Sequence, residues 1–226
     1  MPEPFHDPSK ITFRTCKTRR VSIRIHPDCQ IIVTAPHGYP REKLDTLLRK
    51  KERWIAATVA RMREIERNRP RLNPGELRYR GETYRFVHEP GRGRDTVVDE
   101  ATRVIRSAAN LMMPEVRNTW LIEEARALIA VELARYEKLG YRWKRVTIRS
   151  QRTRWGSCSA KGTLSFNRLL AEMPPLILSY IVAHEVAHTR HLNHSPAFYR
   201  ELDIIFPERK EAEQWLRGNG AHYLTR

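Results

Sequence analysis

The segment His184-Glu185-Val186-Ala187-His188-Thr189-Arg190-His191-Leu192-Asn193-His194 constrains this chain more than any other part of it. On an α-helix, positions i and i+4 share one face, about 6 Å apart along the axis. His184 and His188 placed in this way can converge on one metal ion, with Glu185 beside the remaining open position. Glu185 can then take a proton from water activated at the ion and pass it to a leaving group. Ile177, Ile181, His184 and His188 share a face, so the ordinary alternative is a core helix. Two histidines with a glutamate between them, and a third at workable distance, favour the metal site. Unpaired imidazoles and an ionised carboxylate would otherwise be costly to bury.

A catalytic zinc takes three protein ligands. His191 lies on the same helical face as His184 but roughly 10 Å further along the axis, so one straight helix cannot bring all three to one ion. His194 works if the helix ends near His191, the chain reverses through Leu192-Asn193, and Ser195-Pro196 caps and opens the next helix. The spacing from His184 to His194 equals that of H-E-x-x-H-x-x-G-x-x-H, with His191 in the glycine position. His194 is the preferred third ligand; His191 and a distant carboxylate such as Glu201 are the alternatives. Imidazole suits iron, nickel and cobalt as well as zinc, and zinc is the expected ion.

Composition narrows the remaining classes. Cys16, Cys29 and Cys158 cannot all pair and form no C-x-x-C, which is cysteine usage for a reducing compartment. No secretory signal is visible at the start, and the apolar run Leu176–Ala183 is far too short to span a bilayer. These features point to a cytoplasmic protein with no membrane partner. The 42 Lys and Arg exceed the 26 Asp and Glu by sixteen. That excess suits weak nucleic-acid association, or equally a solvated surface.

The chain reads as α+β, a β-rich portion over 1–110 with one long helix, then a helical portion over 111–226 carrying a small sheet. Strand-like alternation marks 11–13, 21–25 and 31–33, and a basic amphipathic helix runs on from Pro40. Asn68 to Gly75 reads as a linker. A hairpin is expected over 77–87 with its turn at Gly81-Glu82, and weaker strands at 96–98 and 102–106. A helix is expected over 114–138, stopped by Gly140, and short strands at 146–148 and 163–166. Pro174-Pro175 opens a helix running to about His191, Ser195-Pro196 opens another, and 208–216 makes the last.

Upstream of the histidines, Arg152, Arg154, Ser157 and Asn167 are candidate substrate-binding residues, and a strand at 163–167 offers an edge to an extended peptide. The plainer reading makes Trp155 core, Gly156 a turn and Cys158 a small buried hydrophobe. A metal-water route needs no Cys158 nucleophile. Basic residues from Arg142 to Arg168 would suit a phosphate-bearing substrate, since Arg binds phosphate bidentately.

Arg154-Trp-Gly-Ser-Cys158, Leu164-Ser-Phe166-Asn167, His184-Glu-Val-Ala-His188, Leu192-Asn-His194-Ser195 and Phe198 together resemble the YgjP-like metal-dependent hydrolases, which are related to the WLM and SprT-like zinc metallopeptidases. The resemblance covers about 140–206, with Tyr199 standing where relatives often carry Trp. It implies a zincin-like fold with a small sheet over the active-site helix, zinc held by His184, His188 and His194, and Glu185 as catalytic base. Such families are named peptidases by motif, while some members are described as pyrophosphatases converting UTP to UMP. The expected function is therefore a zinc metallopeptidase acting on protein or peptide. The alternative is a nucleoside triphosphate pyrophosphatase using the same metal site. A third reading is a nucleic-acid-binding module with a structural metal.

Overall fold

The computed structural model describes residues 11–224 except 27, 68–70, 92, 94, 95 and 152. Contacts divide the chain into two compact units, the first ending at Pro70 and the second beginning at Arg71. Both mix strands with helices, so the α+β class read from the sequence holds.

The first unit is a three-stranded sheet covered by two helices. Strands β1 (Ile11–Cys16), β2 (Ser22–Ile25) and β3 (Ile31–Pro36) are ordered β1-β3-β2. β3 runs parallel to β1 and antiparallel to β2, with Ile31 opposite both Ile11 and Ile25. The basic amphipathic run is two helices, α1 (Arg41–Lys50) and α2 (Glu52–Arg67), not one. The break is at Lys51, whose amide is shared between the carbonyls of Leu47 (3.0 Å) and Leu48 (3.1 Å). Leu44 and Leu48 before the break, and Ile55 and Val59 after it, join Ile31, Val33 and Ala35 in one buried cluster.

The second unit begins with β4 (Glu76–Tyr79), β5 (Glu82–His88), β6 (Val97–Asp99) and β7 (Val104–Ser107), ordered β4-β5-β7-β6. The long helix α3 (Pro114–Lys138) starts at its proline and buries Trp120, Leu121, Ala125, Ile129, Leu133 and Tyr136. A second sheet, ordered β8-β10-β9, follows from β8 (Arg145–Arg149), β9 (Gly156–Cys158) and β10 (Thr163–Asn167). A 3₁₀ turn (Arg168–Glu172) leads to α4 (Pro175–Ala187), then α5 (Pro196–Ile205), α6 (Arg209–Asn219) and α7 (Ala221–Leu224). No described helix is long and apolar enough to cross a membrane.

The boundary expected near 110 falls inside this second unit. The physical reason is that the side chains of the first hairpin find their partners beyond it. The Tyr79 ring lies 5.4 Å from that of Trp120, and its hydroxyl donates to Glu124 at 2.6 Å. Leu77, Tyr84 and Ile105 share the core with α3 and α4. The hairpin turns on Arg80-Gly81, both at positive φ, one residue earlier than expected. Its tip holds the approach to α4: Arg80 and Gly81 amides donate to Ala171 and Glu172 carbonyls at 2.8 and 3.0 Å. A Cβ on Gly81 would lie 2.9 Å from Pro174 Cα, so only glycine fits there.

Candidate metal centre and active site

Helix α4 is buried almost all round, because it is packed against α3, α5, α6 and β9. Such a helix is apolar on every face except where chemistry requires otherwise. Beyond Ser179 and the Tyr180 hydroxyl, the exceptions are His184, Glu185 and the C-cap His188. The helix closes with His188 as its C-cap, three residues before His191. Residues 189–194 reverse the chain, and Ser195 Oγ caps α5 by accepting from the Phe198 amide at 3.4 Å. The expected reversal is therefore present and begins earlier than the sequence indicated.

This reversal brings His194 to the other two histidines. The ligand atoms of His184, His188 and His194 all lie within 4.8 Å of one another, and Nε2 of His184 is 3.1 Å from Nε2 of His194. Two nitrogens bound at 2.0–2.1 Å to one tetrahedral ion lie about 3.3 Å apart, so the spacing fits a single ion. The tautomers fit as well. His188 Nδ1 faces the His191 carbonyl at 2.8 Å, which leaves Nε2 free to ligate. His184 Nδ1 faces the Tyr180 hydroxyl at 3.5 Å, and that hydroxyl donates to Glu213 at 3.3 Å. Phe198, fully buried, is the floor under all three rings, its centroid 4.4 Å from His188, 4.9 Å from His194 and 5.0 Å from His184.

Burial and the neighbouring imidazoles hold His184 down to about 3, and burial lowers His188. Both are therefore neutral at ordinary pH, the form that binds metal. Glu185 is 6% exposed and its Oε2 has no hydrogen-bond partner among the described residues. Burial pushes it up to about 8 in the metal-free protein, with the Arg154 charge and the Cys158 amide pulling the other way. A buried carboxyl with an unused oxygen beside three converging imidazoles is the donor set of a catalytic centre. A structural zinc site is instead closed by its own ligands.

Strand β9 runs directly over Glu185. A Cβ on Gly156 would stand 2.6 Å from Glu185 Cγ, so the strand can lie this close only because position 156 has no side chain. Gly156 is therefore a strand residue, and the turn assigned to it from sequence is absent. β10 pairs on both sides and has no edge to offer, which corrects the expectation for 163–167. Among the described residues the edge strands are β8 and β9, and β9 is the one that lies against Glu185. The Ser159 amide donates to Thr163 and the Asn167 amide to Trp155, so the backbone groups of Gly156 and Cys158 point away from β10.

The remaining expected residues divide sharply. Arg154 is exposed and its charge acts on Glu185. Ser157 alternates to the sheet face opposite Gly156. Asn167 is fully buried and committed: its amide donates to Gln151 and Arg154 carbonyls at 2.7 and 2.9 Å, and its oxygen accepts from the Leu169 amide. It anchors the loop that carries Arg154 and leaves no group for substrate. Arg152 lies outside the described residues. Of the alternatives for the third ligand, His191 supplies its carbonyl to His188. Glu201 accepts from Tyr141 and, at 2.6 Å, from Arg190, which also stacks over the Tyr141 ring at 3.8 Å. That cluster ties α5 to the His188–His194 reversal. Burial and the Glu185 charge raise the Cys158 thiol, which suits no nucleophile.

Comparison with known proteins gives the family of the chain. The family described as YgjP-like, metallopeptidase domain, matches residues 19–219. The crystal structure of the metallopeptidase zymogen of Pyrococcus abyssi abylysin is similar over 44% of this chain and 90% of that one, at 28% identity and a TM-score of 0.32. No curated protein matches the chain. With a match that spans most of its length, laid over a histidine triad and a buried glutamate, the chain belongs to the YgjP-like family of metallopeptidase-type, metal-dependent hydrolases.

Proposed function

We propose that the protein is a zinc-dependent metallopeptidase in which Glu185 is the general base. The observation that carries this reading is the unpaired edge of β9 beside Glu185. An extended peptide adds to such an edge through its own backbone groups, and Gly156 has its backbone groups turned away from β10 to receive it, while the Cys158 amide is used on Glu185. The residues His184, His188 and His194 would hold the ion, which supplies Lewis acidity toward the scissile carbonyl and lowers the pKa of a bound water. Glu185 accepts the proton of the attacking water and delivers it to the departing amine. Arg154, fixed through the Asn167 clamp on its loop, lies near enough to Glu185 to contact substrate there. Phe198 and the His191 carbonyl hold the imidazoles in place.

The test uses the metal-loaded full chain with an unfolded protein and, separately, a panel of nucleoside triphosphates. New peptide N-termini without pyrophosphate release are the expected result. Pyrophosphate from a nucleotide, with the protein left intact, would overturn the peptidase reading and assign Arg154 to phosphate. No product from either would overturn it also.

A further inference from the structure

The first unit has a groove of about 260 Å³ that the hydrolytic reading does not use. It lies between the edge strand β2 and the break that joins α1 to α2, and is lined by Val21, Ile23, Leu47, Lys51 and Trp54. Trp54 is 49% exposed, although a free indole normally buries most of its surface. The cations beside this apolar lining come from the helix break, and Lys51 itself lines the groove. On β2, exposed Arg24 alternates to the sheet face opposite Ile23, so the groove side of the strand is apolar. At the helix break, exposed Lys50, Lys51 and Arg53 bracket Trp54. Over residues 11–67 there are fourteen Lys and Arg against six Asp and Glu, a formal excess of eight.

We propose that this groove binds single-stranded nucleic acid, with a base stacked on Trp54 and the flanking phosphates held by Lys51 and its neighbours. Surfaces that bind single strands without sequence preference combine a cationic track with an aromatic platform, since every base has a stacking face. Charge alone would also attract an acidic polypeptide. Carboxylate side chains, however, have no flat apolar face to place against the indole and the Val21–Ile23–Leu47 bed. The occupant that uses both features is a polyanion that carries bases.

Binding of labelled oligothymidylate to the full chain, followed by fluorescence anisotropy across a salt series, tests this. Affinity should fall steeply with salt, and Trp54→Ala should weaken it by about tenfold with an unchanged melting temperature. Lys51→Ala should reduce the salt slope by about one. Linear polyphosphate, which has charge without bases, should bind Trp54→Ala and wild type alike. The proposal is overturned if Trp54→Ala binds oligothymidylate as tightly as wild type. It is overturned equally if polyglutamate of matched charge competes as well as the oligonucleotide, which would make an acidic polypeptide the occupant. Hydrolysis of unfolded protein by Trp54→Ala is a separate readout, so failure here leaves the reading of the metal site untouched.

Discussion

Glu185→Gln is expected to bind metal as the wild type does and to lose hydrolysis by about a thousandfold. The substitution keeps the shape of a side chain that is buried between the β9 backbone and the α4 core, so the fold and the histidine triad have no reason to move. What it removes is the proton acceptor. A glutamine there can still donate and accept hydrogen bonds, but cannot take a proton from water. Turnover within a few fold of wild type would remove Glu185 from the mechanism. The same variant carries a second signature in the metal-free protein. Burial raises the folded Glu185 to about 8, above its ordinary value near 4.5. Between those two values the folded state retains a proton that the unfolded chain has released, so Glu185 costs stability as pH rises through that window. Metal-free Glu185→Gln should therefore gain stability relative to wild type from pH 4.5 to 8, measured by denaturant melts across the range. A flat difference would place Glu185 in contact with solvent.

Gly156→Ala is expected to cut activity by on the order of a hundredfold while leaving metal affinity unchanged. The new methyl would meet Glu185 Cγ at 2.6 Å, Oε1 at 2.7 Å and Cδ at 2.9 Å. Its cheapest relief is rotation of Glu185 itself, since the strand is tied to β10 and α4 is packed on all sides. Displacement of a catalytic group by about 1 Å costs roughly that factor. The loss falls on catalysis more than on folding, because the far end of one side chain moves and no backbone does. Ser157→Ala, one residue along and on the opposite face of the sheet, is the control and should be near neutral. Full activity in Gly156→Ala would mean that β9 does not set the place of Glu185.

Where local spacing carries the information, the sequence is readable. The α3 helix over 114–138 follows from the periodicity of Trp120, Ala125, Ile129 and Leu133 between Pro114 and Gly140. The histidine triad follows from i,i+4 spacing and a reversal capped by Ser195. Features fixed by tertiary packing were not readable in the same way. β9 is three residues, Gly-Ser-Cys, with no apolar alternation, and its place over Glu185 exists only in the folded sheet. Asn167 has the residue type of a substrate contact, yet its hydrogen bonds are all used on the loop before it. Glu201 is a possible ligand by composition, and Tyr141, sixty residues earlier, is what removes it. The compact units divide at 70/71, by the linker legible at 68–75, and not near 110, because the partnership of Tyr79 with Trp120 and Glu124 has no local signal. Tyr180, which supports His184, carries no signal separable from that of an ordinary core residue, and Phe198 is marked only through the family resemblance.

The central claim is that His184, His188 and His194 form one metal site, and a zinc titration against a chromophoric chelator tests it most directly. Wild type should bind one ion per chain tightly enough to strip the chelator. His194→Ala should keep its fold and bind at least a hundredfold more weakly, because two imidazoles remain where three converged. Equal affinity in His194→Ala, or no binding by the wild type, would contradict the account.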